Sequence, residues 1–75
     1  MYNYSSKLIA PRTVQFQTRT AQGHRIVTVY LDSPTPRFVA FNERSAVRTP
    51  ATLWLDEIER LITCAKEICK IKGDT

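Results

Sequence analysis

Glycine is nearly absent from these 75 residues, with Gly23 and Gly73 the only two. A glycine-rich loop of the kind that cradles phosphates therefore has no place in the chain. Histidine is scarcer still. Catalysis by a serine, cysteine or histidine mechanism needs a base beside the nucleophile, and His24 has no acidic neighbour close in sequence, so the chain is expected not to be an enzyme. The only cysteines, Cys64 and Cys69, lie five apart on one predicted helix, which sets them about 140° apart around its axis and excludes a bond between them. Without paired cysteine spacing and with one histidine, no metal site and no cofactor is expected. Unpaired thiols suit a reducing compartment, so an intracellular location, cytoplasm or nucleoid or nucleus, is expected. No apolar run approaches the roughly 18 residues of a membrane span, and no basic segment followed by an apolar stretch is visible at the start. A membrane partner is not expected.

What is present is organised around one helix. Leu55, Ile58, Leu61, Ile62, Ala65, Ile68 and Cys69 recur at spacings of three and four and form an apolar stripe, with Glu57, Glu59, Arg60, Thr63, Lys66, Glu67 and Lys70 pointing elsewhere. Asp56 and Glu59 have the form of a capping box at the positive end of the helix dipole. Lys66, Lys70 and Lys72 crowd the negative end, and Gly73 offers a stop. The pattern predicts a helix over 56–72. A rival start has Thr49 as N-cap and Pro50 at the first helical position, which brings Ala51 and Trp54 onto the stripe.

Ahead of the helix the period is two. Residues 1–6 read as a tail that frays, and Lys7-Leu8-Ile9-Ala10, closed by Pro11, as an edge strand or a segment packed on a neighbouring subunit. In 13–19, Val14 and Phe16 take one face and Gln15, Gln17 and Arg19 the other. Gly23 suits a tight connection through positive φ. In 25–31, Val27, Val29 and Leu31 face the core, with Arg25 on their parity, while Ile26, Thr28 and Tyr30 share the open face with Arg19. Asp32-Ser33-Pro34-Thr35-Pro36 forms a stiff loop. Arg37 to Phe41 is apolar on both parities, as in a strand covered on both sides. Residues 42–45 read as a turn, and 46–48 with 52–55 as an interrupted fourth strand. The expectation is one small α+β domain: an antiparallel sheet of three or four strands in a basic region, 7–55, followed by one C-terminal amphipathic helix.

Charge is unevenly spread. The net charge is +4, yet residues 1–50 hold Lys7, Arg12, Arg19, Arg25, Arg37, Arg44 and Arg48 against Asp32 and Glu43 alone. Six of those seven cations are arginine, whose planar fork binds phosphate and stacks on bases.

The Gly23 hairpin with 25–31, and Thr52-Leu53-Trp54-Leu55-Asp56-Glu57-Ile58-Glu59-Arg60-Leu61 running from a strand into an acid-capped helix, resemble the transcriptional positive coactivator (positive cofactor four) family. The resemblance implies a basic four-stranded sheet forming a cradle for single-stranded DNA, and helices paired in a dimer. The chain departs from that pattern in its Ser33-Pro34-Thr35-Pro36 loop and in lacking a lysine- and glycine-rich turn before the last strand.

Two functions are therefore expected in competition. The first is binding of single-stranded DNA or RNA on an open sheet face by Arg12, Arg19, Arg25, Tyr30, Arg37 and Arg48. The protein would be a homodimer associating through Trp54, Ile58, Leu61, Ile62, Ala65 and Ile68, because one small sheet cannot cover that much apolar surface. The second is a small interaction module, an inhibitor or adaptor, that grips an acidic protein surface or blocks another protein's nucleic-acid site.

Overall fold

The computed structural model describes the backbone of residues 3–73 and side chains through Lys70. Met1 and Tyr2 of the expected tail and the Ile71 and Lys72 side chains lie outside the described residues. Five strands form one antiparallel meander: β1 (Ser5–Ala10), β2 (Thr13–Thr20), β3 (Gly23–Tyr30), β4 (Arg37–Arg44) and β5 (Val47–Pro50), in spatial order β1-β2-β3-β4-β5. The helix α1 (Leu55–Gly73) follows. The fold is α+β, with five strands where three or four were expected.

Three local differences account for the extra strand. Ser5 and Ser6 are not frayed but belong to β1, whose register shifts between Leu8 and Ala10 before Pro11 ends it. A bulge and a proline both blunt an edge strand. The turn expected at 42–45 lies instead at Ser45 and Ala46, with φ of 52° and 65°. Two consecutive positive φ values match the right-handed twist of a two-residue hairpin, a geometry that glycine and asparagine usually signal and that neither of these residues advertises. Pro50 closes β5 opposite Phe41 and starts no helix, so residues 51–54 cross as coil to α1. The helix begins at Leu55, with the Ile58 amide donating to the Trp54 carbonyl at 3.0 Å. Asp56 therefore sits inside the first turn, favourably placed for the dipole, but is not the N-cap.

The β2–β3 hairpin has the expected glycine dependence. Gly23 has φ of +115°, and a Cβ there would meet the Glu43 carbonyl oxygen at 2.5 Å. Beyond the hairpin, Val14 pairs with Val29 and Phe16 with Val27. With Leu31 they meet Ile58, Leu61, Ala65 and Cys69 in the core. Five strands spaced about 4.8 Å apart are wider than one helix of 10–12 Å can roof, and α1 packs on β2 and β3. On the helix side of β4, Ala40 packs against the core, while Phe38 at the start of β4 and Val47, opposite Arg44 at its other end, are exposed. Trp54 (73%) and Leu55 (81%), the latter expected on the apolar stripe, are exposed at the entry to α1.

Candidate nucleic-acid interface

The strand register sorts the basic residues by face. Arg19 pairs with His24, Ile26 with Phe41, Thr28 with Val39, and Tyr30 with Arg37. These residues, with Lys7, Gln15, Gln17, Glu43 and Arg48, form the face opposite α1. His24 is the second residue of β3. Two guanidinium groups lie flat on this face: Arg37 over the Tyr30 ring at 4.3 Å and Arg48 over Phe41 at 4.6 Å. Each is held by a carboxylate as well, Arg37 Nη2 by Asp32 Oδ2 at 3.6 Å and Arg48 Nε by Glu43 Oε1 at 3.7 Å. Gln17 Nε2 donates to Gln15 Oε1 at 2.7 Å, so the two amides are ordered by each other. Four cations, Lys7, Arg19, Arg37 and Arg48, share the face with Glu43 and the loop residue Asp32.

Four of the six residues expected to bind nucleic acid thus meet on one surface. Arg19 and Tyr30 share it as the strand parity required, but six residues of β3 separate their positions, about 20 Å. Arg12 stands at the rim, its Nε donating to the Leu31 carbonyl at 2.8 Å. Arg25 does not belong to the face. Its parity turns it under the helix, where Nε donates to Asn42 Oδ1 at 3.3 Å and Nη1 lies 3.7 Å from Glu57 Oε2.

Glu57 is the residue that periodicity placed wrongly. Expected to point away from the core, it is 1% exposed. It accepts from the Tyr4 hydroxyl at 2.6 Å, and its Oε1 has no hydrogen-bond partner among the described residues. Burial, reinforced by donation to Glu57, pushes the Tyr4 hydroxyl up to about 12, so it stays a donor across the physiological range. A cleft of about 450 Å³ opens beside this pair between β1, β2 and α1, lined also by Phe16, Cys64 and Glu67. No histidine lines it, and no cluster of metal-ligating residues occurs among the described residues.

Val39 and Phe41 were also missed as candidates, because β4 reads as covered on both sides. Its outer neighbour β5 is short and α1 packs chiefly on β2 and β3, so Phe38 is exposed on one face and Val39 on the other. Of the expected dimer residues, Ile58, Leu61 and Ala65 are occupied by the chain's own sheet. Ile62 and Ile68 are half-buried and Trp54 is exposed. Cys64 is exposed and Cys69 buried, both as thiols. Among the described residues no helix is long and apolar enough to cross a membrane.

Comparison with family models, curated proteins and solved structures finds nothing that matches this chain.

Proposed function

We propose that the face opposite α1 binds single-stranded nucleic acid, DNA or RNA, and that the protein acts by binding and not by catalysis. The observation that carries this reading is the pair of guanidinium–ring stacks, Arg37 on Tyr30 and Arg48 on Phe41, on an uncovered surface that also bears Lys7 and Arg19. Flat cationic and aromatic surfaces stack bases of any sequence, while free cations neutralise phosphates. A sheet face favours single strands over duplex because it meets bases that a duplex keeps hidden. The exposed apolar side chains Trp54 and Leu55 at the entry to α1, with Phe38 exposed at the start of β4, support a homodimer. On this reading the contact lies at the start of the helix and not along its stripe.

The test is fluorescence anisotropy with a labelled oligothymidylate over a range of salt. Arg19→Ala is expected to weaken binding and lower the logarithmic salt slope by about 0.7, the share of one phosphate on a single strand. Tyr30→Ala should weaken binding with little change of slope. Absence of salt-sensitive binding to any oligonucleotide would overturn the reading and favour the second one, an inhibitor or adaptor that uses the same arginines to grip an acidic protein surface or to block another protein's nucleic-acid site.

A further inference from the structure

The open face is not uniform: its stacking surfaces lie in a line. Arg37, Val39 and Phe41 are alternate residues of β4 and point to the same face, opposite Tyr30, Thr28 and Ile26 of β3. Along a strand, such positions recur about every 6.6–6.8 Å. An unstacked nucleic-acid strand advances by a similar step, roughly twice the 3.4 Å of a stacked duplex strand. At the first position a guanidinium lies on a ring, at the third another does, and between them Val39 is 51% exposed beside its buried register partner Thr28.

Resting on the function proposed above, we infer that a single strand runs along β4 with a footprint of three nucleotides. One base lies on the Arg37–Tyr30 stack, one on Val39 and one on the Arg48–Phe41 stack. The two arginines act here as planes more than as charges. Asp32 and Glu43 already balance them, while the Arg37 and Arg48 side chains remain 61% and 66% exposed. Phosphate neutralisation falls to Lys7 and Arg19, on the β1–β2 side of the same surface. β2 offers no competing track, since its open-face residues Gln15, Gln17 and Arg19 include no ring.

Arg37→Lys and Arg48→Lys separate these roles, because lysine keeps the charge and loses the plane. Both positions are on the surface, so folding is not at stake. Affinities of the wild type and both variants are measured with oligothymidylates and oligouridylates of two, three, four and six nucleotides by NMR titration. For the wild type, affinity is expected to rise steeply up to three nucleotides and only statistically beyond, with the same break in both series because stacking reads the base and not the sugar. Each variant is expected to lose about 5- to 150-fold, the worth of one stacked base, with an unchanged salt slope. Affinity that climbs evenly past three nucleotides, or variants that bind like wild type, would overturn the footprint and leave single-strand binding standing. A wild type that binds none of these oligonucleotides would overturn both.

Discussion

Arg25 and Arg37 hold carboxylates at nearly equal distances, 3.7 and 3.6 Å, on opposite faces of one sheet, and the two pairs have little else in common. Under the helix, Glu57 is sealed from water, receives the Tyr4 hydroxyl and has its Arg25 partner tied to Asn42. On the open face, Asp32 is exposed and Glu43 half-buried, and they hold guanidinium groups whose other contact is a ring. Distance alone therefore says little about what an ion pair does. The covered pair bears on whether the chain folds, because removing either partner strands a charge away from water. The exposed pairs are screened, contribute little to stability, and leave their arginines available to a ligand.

The largest effect that tests this contrast is Glu57→Ala. It should cost about 3 kcal/mol in urea unfolding, from a total of roughly 4–11 kcal/mol for a chain of this length. Exchanging both partners for apolar residues, Arg25→Met with Glu57→Leu, should recover most of that loss. If the single substitution proves as mild as a surface change, the contrast between the faces fails.

Tyr4→Phe comes next, at about 1.5–3 kcal/mol, the range for a hydrogen bond to a charged group. It also carries a pH signature. The Tyr4 hydroxyl titrates near 10 in the unfolded chain and about 12 in the folded one, so between those values the unfolded state loses the proton first. The contribution of Tyr4 is complete below pH 10 and lost as pH rises through 12. The difference in stability between wild type and Tyr4→Phe should shrink over that window and stay flat from pH 7 to 9.

A smaller change of opposite sign is expected at the β4–β5 turn. Ser45→Asn with Ala46→Gly supplies residues that tolerate the left-handed backbone, and should stabilise by about 1 kcal/mol in thermal unfolding. The smallest effects on stability belong to Asp32→Asn and Glu43→Gln, each within about 0.5 kcal/mol. Trp54→Glu should likewise leave the fold intact while shifting a dimer to monomer in sedimentation, if copies meet at the start of the helix.

Much of the covered face is legible in the amino-acid sequence. Val14, Phe16, Val27, Val29 and Leu31 alternate as a half-buried sheet must, and the helix stripe names Ile58, Leu61, Ala65 and Cys69, all of which are buried. Glu57 is misplaced by periodicity because its charge outweighs its position. It stands four residues before Leu61 and eight before Ala65, so helical geometry alone puts it at the edge of the stripe. The Ser45–Ala46 turn is displaced from its expected place because its residues carry no chemical mark of positive φ.

The open face divides in the same way. Strand parity placed Arg19 with Tyr30 and put Arg25 on the core side, since alternation is a property of the chain itself. Which ring each arginine covers was settled by the pairing of β3 with β4 and of β4 with β5, contacts between residues far apart in sequence. The exposure of Phe38 and Val47 was settled by dimensions, because one helix is too narrow to roof five strands. Composition and periodicity set the elements and the sign of the charge; only packing decided which arginine is buried with a carboxylate and which lies open over a ring.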